Sequence, residues 1–249
     1  MGLTASRNTP EWSGSNRYHY GLIPVEASTS LYVGGMVALN ANGRAVPAQS
    51  RGSGALLKLK VIGICDRVYA GGWMPPGVDA LNQTGNGTLY PGATATLGTA
   101  GAISVDVVSG VFGMDVDSTI TDSSHNGQMC VAVDDHTVGI GTLVANTTSI
   151  TVPASGPLIN VLQPDIMQGT FDAYSATGAG GTHYVEGTDF AVDYQAGLFL
   201  TLSGGAISAG GTVYVTYYRA GAKVVAGELV ASGSAGLAYV NFGRNGATL

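Results

Sequence analysis

Charged side chains are scarce in this chain. They make up 10% of its 249 residues, against about 25% in an ordinary soluble domain, and only three of them are lysines. A free monomer keeps itself dispersed with interspersed charges of both signs, so a surface this poor in them is expected to be covered by other chains. The ten Lys and Arg residues are scattered and the formal net charge is −6. That excludes a phosphate-neutralising groove, which needs clustered cations, and no nucleic-acid partner is expected.

Long apolar runs are missing too. No stretch approaches the roughly 18 residues of a membrane span, and the opening "MGLTASRNTPEWSGSNRYHYG" has no apolar core of signal-peptide length; a soluble product made in the cytosol is expected, with no membrane partner. "MGLTAS" fits a myristoylation pattern too short to carry a lipid-anchor reading. The sites Asn82, Asn86 and Asn146 match the glycosylation acceptor, which has meaning only in a secreted protein.

Cysteine is limited to Cys65 in "VIGICDRV" and Cys130 in "GQMCVAV". Both sit among strand-forming apolar residues, where a thiol acts as a small buried hydrophobe, and two such residues make no disulfide framework. Local catalytic patterns are absent: there is no G-x-S-x-G, Walker loop, H-E-x-x-H or C-x-x-C. The densest polar cluster gathers Asp115, Asp117, Asp122, His125, Asp134, Asp135 and His136. As a calcium loop begun at Asp115 it fails, with Ile120 at the glycine position and Asn126 where a bidentate Glu belongs. Asp134-Asp135 reads instead as a turn between two strands. No enzyme, cofactor or metal site is expected.

What the chain does have is β-structure. "TDFAVDYQAGLFLTLSGGAISAGGTVYVTYY", residues 188–218, carries two charged side chains in its whole length. Phe190, Val192 and Tyr194 alternate with Ala191, Asp193 and Gln195, and the same pattern is expected at Leu198, Leu200 and Leu202 and at Val213, Val215 and Tyr217. Earlier, "LYVGGMVALNANGRAVPA" places two apolar runs around Asn42-Gly43, a dipeptide suited to a type I′ hairpin turn. Strands are expected in "LKVIGICDRVYA", "ATATLGTAGAISVDVVSG", "GVFGMDV" and "GQMCVAVDDHTVGI". Helical spacing is confined to "LINVLQPDIMQ", so the class is all-β. The polar, turn-rich segment 143–158 suggests a boundary near 148. The tail "KVVAGELVASGSAGLAYVNFG" adds two strands that either pack like the first hairpin or close the first domain's sheet.

Residues 1–24 lack periodicity but hold Trp12, Arg17, Tyr18 and Tyr20, side-chain types that anchor interfaces. They form either an arm lying on a neighbour or a terminus folded back on its own domain. Trp73 and Met74, beside Pro75-Pro76 in the loop 70–87, suggest either a docking tip or a plug for a barrel end.

Two stretches carry a family resemblance. "LYVGGMVALNANGRAVPA" leading into "VIGICDRVYAGG", followed by "ITDSSHNGQMCVAVDDHTVGIGT", resembles the β-rich decoration, or cement, proteins of tailed bacteriophage capsids, where a "G-x-x-V-Y-V-x-D-D-x-T-V" stretch near the domain's end is common; here it is Gly127 to Val138. The stretch "YVEGTDFAVDYQAGLFLTLSGG" is similar to hairpins of β-sandwich modules in phage structural proteins. With the alternation and boundary read above, the expected architecture is an N-terminal arm over 1–24, a β-barrel-like capsid-binding domain over 25–148, and an Ig-like β-sandwich over 149–249 that includes closing C-terminal strands. The resemblance implies a virion protein, made in the host cytoplasm, that binds the outer capsid surface at capsomer junctions and stabilises the shell. Its partners would be the major capsid protein and further copies of itself, most simply as a trimer. Trp12, Arg17, Tyr18, Tyr20, Trp73 and Met74 are the expected interface residues. The rival expectations are a tail component sharing the sandwich and a carbohydrate- or receptor-binding module.

Overall fold

The structure, a computed structural model, describes residues 7, 9–12, 18–49, 59–70, 103–155, 159–232 and 236–242. Among these the protein is all-β, with seventeen strands and a single 3-10 turn at Ser123–His125. No helix is long and apolar enough to cross a membrane among the described residues. The chain divides into two compact units, Met1–Gly139 together with Ala222–Leu249, and Ile140–Gly221.

The first unit contains a five-stranded antiparallel sheet made of β1 (Tyr18–Pro24), β2 (Met36–Leu39), β3 (Ala45–Pro47), β4 (Lys60–Ala70) and β5 (Ile103–Ser109), in the order β1-β5-β4-β2-β3. β5 is rich in β-branched residues and almost continuously buried, the pattern of a central strand covered on both faces. One of those faces, with Val105 and Val107, packs onto Val25, Leu31, Val37 and Ile62. At Gly63 the backbone φ is +153° and an added Cβ would lie 2.3 Å from the Val108 carbonyl oxygen. Only glycine allows β4 to approach β5 this closely at that point.

The chain passes from β5 through Gly110 straight into β6 (Val111–Val116), which belongs to a different assembly. With β7 (Met129–Ala132), β8 (Thr137–Gly139), β16 (Val224–Ser232) and β17 (Leu237–Asn241), it closes a five-stranded barrel in the order β16-β17-β6-β8-β7. The cross-strand pairs Met114 with Ala238 and Leu229 with Val240 are fully buried. A barrel this small is filled by side chains and holds no channel.

The second unit is a two-sheet sandwich. One sheet is β12-β11-β15-β9, from β9 (Thr142–Thr151), β11 (Asp172–Ala176), β12 (Gly180–Tyr184) and β15 (Thr212–Arg219); the other is β10-β14-β13, from β10 (Ile159–Val161), β13 (Phe190–Asp193) and β14 (Leu198–Thr201). Both sheets send side chains into one core containing Ile150, Ala173, Val213, Val215, Phe190 and Phe199. Phe171 lies with its ring centroid 5.5, 5.9 and 5.4 Å from those of Phe190, Phe199 and Tyr217.

Several details differ from the sequence reading, each for a physical reason. The boundary expected near 148 falls at 139/140, because residues 142–151 form one strand paired to β15. Polar residues that suggest a linker, such as Ser149 and Thr151, lie on a strand at the edge of its sheet and are exposed; there polar side chains meet water. The tail belongs to the barrel and not to the sandwich: β17 pairs with β6 and β16 with β7. The 40–44 hairpin loop is not type I′, which needs positive φ at two residues. Only Gly43 has it, at +72°, while Asn40 accepts backbone bonds from Asn42 and Arg44 through its side chain. That is a turn followed by a left-handed glycine bulge. The phase of β14 is inverted: Phe199 and Thr201 face inward, while Leu198 and Leu200 are only partly buried. Asp193, which points outward, pairs with Leu198, and cross-strand partners share a face. "LINVLQPDIMQ" contains β10 and forms no helix among its described residues.

Candidate interaction surface

The N-terminal residues meet the continuous β5–β6 segment from one side. β1 pairs antiparallel with β5, with Tyr18 opposite Ser109. Upstream, Glu11 bridges antiparallel to Phe112, Trp12 N–H donates to the Val111 carbonyl at 2.9 Å, and Gly113 N–H donates to the Pro10 carbonyl at 2.7 Å. Residues 10–12 therefore extend the ladder begun by β1 onto the first half of β6, which β8 pairs only at Asp115 and Val116. Arg7 reaches further along β6, its two terminal nitrogens donating to the Asp115 carboxylate at 2.9 and 3.3 Å. Its own N–H donates to the Val33 carbonyl, and the Thr9 hydroxyl donates to the Gly34 carbonyl, so the strap also touches the turn that leads into β2.

None of residues 7 and 9–12 is buried. Beneath them lies a cleft of about 390 Å³ with Val33, Ile64, Val108 and Phe112 in its walls. The strap thus spans a cleft and does not plug a core. Its hydrogen bonds are worth about 1 kcal/mol each. The Arg7–Asp115 pair, whose carboxylate side is 48% exposed, is screened to below about 1 kcal/mol. The segment is held, but by modest polar contacts that are separable from the fold.

The outer side of this region is apolar. Trp12 is 45% exposed although its ring stands edge-on to Tyr239 at 4.9 Å. Tyr18 is 61%, Tyr20 45% and Leu22 37% exposed. Leu22 sits at φ +53°, a costly conformation for its side chain, and its N–H donates to the Asp106 carboxylate at 2.9 Å. The irregularity it creates between Tyr20 and Ile23 interrupts the edge ladder and turns Leu22 outward. Of the expected interface residues, Trp12, Tyr18 and Tyr20 are thus brought together on one strip, which lies along their own unit. Arg17, Trp73 and Met74 lie outside the described residues. Leu22, Arg7 and Tyr239 were not legible from sequence: the Arg7–Asp115 pair spans 108 positions and carries no local pattern.

The acidic cluster is distributed over separate turns. Asp115 holds Arg7; the Asp117 carboxylate accepts from the Thr119 N–H and hydroxyl; Asp122 caps the 3-10 turn by accepting from Ser124 N–H at 2.8 Å. Asp134, Asp135 and His136 do converge, with one potential ligand atom from each within 4.8 Å of the others. They form the expected turn between β7 and β8, where the Asp134 carboxylate accepts from the His136 and Thr137 N–H groups. Both cysteines are free, buried thiols. Burial pushes the Cys65 thiol up to about 12, with Asp66 and Asp106 adding to it. Burial does the same for Cys130, also to about 12, against the lowering effect of its contact with the Gly227 carbonyl. Neither supplies a thiolate nucleophile near neutral pH.

In the second unit, the outer face of the four-stranded sheet carries a row of rings. His183 is opposite Tyr174, which is opposite Tyr214. The His183 and Tyr174 rings stack at 4.7 Å, and His183 Nε2 lies 3.2 Å from the Asp172 carboxylate. β10, at the edge of the other sheet, exposes Ile159 and Val161.

No protein family, curated protein or solved structure matches the chain.

Proposed function

We propose that the protein is a structural virion component that binds the outer surface of a tailed-phage capsid at capsomer junctions and stabilises the shell, with no catalytic role. The observation that carries this reading is the apolar strip of Trp12, Tyr18, Tyr20 and Leu22 on the edge of an all-β body. Aromatic side chains on a chain with 10% charged residues fit burial against other protein. The resemblance of the first unit's strands and of its Gly127–Val138 stretch to decoration proteins supplies the particular partner, the major capsid protein, alongside further copies of this chain. Each contact of ordinary size buries about 800 Å² per partner. Repetition over symmetry-related copies makes modest contacts collectively strong. A net charge of −6 suits an outer face, away from packaged DNA.

The test is cosedimentation of the purified protein with phage heads that lack it and, separately, with tails, followed by heating of the recovered particles. Saturable binding to heads with raised heat resistance is expected. Binding to tails, or to neither particle, overturns the assignment. A second reading, recognition of a carbohydrate, is favoured by the ring row His183–Tyr174–Tyr214, since sugars stack on exposed aromatic faces. A glycan array decides it, a specific signal lost in Tyr174→Ala being the supporting result.

A further inference from the structure

We propose that the strap formed by Arg7 and residues 9–12 is a donor strand exchanged between copies of this chain, so that the seat on β6 is filled in the assembled protein by the strap of a neighbour. The seat is a β-strand acceptor. β6 offers the Val111 carbonyl and Gly113 N–H to whichever segment lies beside it, and Asp115 offers a carboxylate to an arginine four residues upstream of the bridging glutamate. The segment that satisfies all three at once is the protein's own, so the best-matched occupant from outside is the same segment of a second copy. Exchange then costs no contact, because every bond made within one chain is remade between two.

Covalent reach permits it. Trp12 and Tyr18 are anchored to Val111 and Ser109, positions separated only by Gly110. Three consecutive Cα atoms span at most about 7 Å, whereas the six steps from residue 12 to residue 18 extend to about 20 Å. The connection is longer than folding back requires, so the strap can leave while β1 stays in its sheet.

Retention of the strap within one chain leaves Trp12, Tyr18, Tyr20 and Leu22 in water. Exchange would hold a second copy beside that same strip, and each of these side chains that the copy covers would add to the stability of the exchanged assembly. No buried side chain has to be extracted to open it, since none of the strap's described residues is buried. The exchange rests on the self-association in the proposed function, but it needs no capsid and is read on the purified protein, so a failure to bind phage heads and a failure to exchange straps are distinguishable.

The test uses charge-swapped partners. Arg7→Glu and Asp115→Arg each place like charges at the seat, in one chain or between chains of one kind. In a 1:1 mixture, strap exchange between the two kinds restores an opposite-charge pair at hetero-contacts. Because the like charges burden the closed chain and the exchanged assembly equally, sedimentation velocity is expected to show an oligomer for the wild type, similar association for each variant alone, and about tenfold tighter association in the mixture, where only exchange relieves the repulsion. Oligomers carrying both of two affinity tags should be captured from that mixture. An independent control is removal of residues 1–17, which should give a monomer that still shows cooperative melting. A wild type that is monomeric at all concentrations, a truncated chain that keeps its oligomeric mass, or a mixture that associates no better than its components overturns the proposal. If the truncated chain does not fold, the charge-swap mixture alone decides.

Discussion

The two units are both built mainly of antiparallel strands, with β6 and β8 of the barrel paired in parallel, yet they are wired differently. The sandwich is one uninterrupted segment, Ile140–Gly221, tied together by bonds such as that from the Tyr218 N–H to the Thr170 hydroxyl across 48 positions. The first unit needs both ends of the chain. Its barrel takes β6, β7 and β8 from the middle and β16 and β17 from the tail, and its closing contacts span 97 positions from Cys130 to Gly227 and 106 from Asn126 to Ser232. Non-local pairing must overcome its loop-closure entropy before its contacts form. The sandwich is therefore the self-sufficient unit, and the barrel is the one whose completion waits for the last residues.

The largest break in that comparison comes from truncation after Gly221. Loss of β16 and β17 removes two of five barrel strands and leaves the buried faces of Met114 and Cys130 without their partners. Hydrogen exchange should show protection lost across 111–139 and retained across 142–219. Equal loss in both regions would mean the units are not separable. Next in size, Phe171→Ala removes a ring packed against three others in the sandwich, at a cost of about 3 kcal/mol. Gly63→Ala drives a Cβ into the Val108 carbonyl in the first unit, also at about 3 kcal/mol. Calorimetry should show each substitution lowering a different transition.

A smaller effect separates the units by pH. The Asp189 carboxylate accepts from the Ala206 and Val185 N–H groups, both at 2.8 Å, and these bonds hold it below the usual carboxylate range. A carboxyl depressed in the folded state contributes stability that is fully present above its unfolded value near 3.9 and is lost as pH falls through the folded value. The sandwich transition should drop in acid below about pH 4, and Asp189→Asn should lower it at neutral pH while flattening that acid dependence. The smallest expected signal is thiol reactivity. With Cys65 and Cys130 buried and raised to about 12, a thiol reagent at about pH 8, below even an ordinary cysteine's value, should label neither until the first unit unfolds. Fast labelling of one of them would show local opening of that sheet or barrel.

Legibility from sequence follows the same division. In the sandwich, Val213, Val215 and Tyr217 are buried as their alternation predicts, because burial on one face writes a period of two into the strand. β14 defeats the same rule: leucines dominate it, but the pairing of Asp193 with Leu198 decides the face, and pairing is not written in one strand alone. In the first unit, individual strands such as β4, β6 and β7 are legible and a β-barrel-like body is expected, whereas the barrel's strand order and its closure by the tail are not fixed by the sequence, since they join segments far apart in the chain. The strip has a mixed record. Trp12, Tyr18 and Tyr20 are recognisable by residue type, but the strap's attachment through Arg7 and Asp115 and the outward turn of Leu22 depend on partners that only the folded chain brings near.

The most direct measurement replaces Trp12, Tyr18 and Tyr20 with serine in the full chain and compares it with wild type for binding to phage heads that lack the protein. The strip as the assembly surface predicts a triple variant that keeps both melting transitions within a few degrees and no longer cosediments with heads. A folded variant that binds as tightly as wild type contradicts it and moves the assembly surface elsewhere on the molecule.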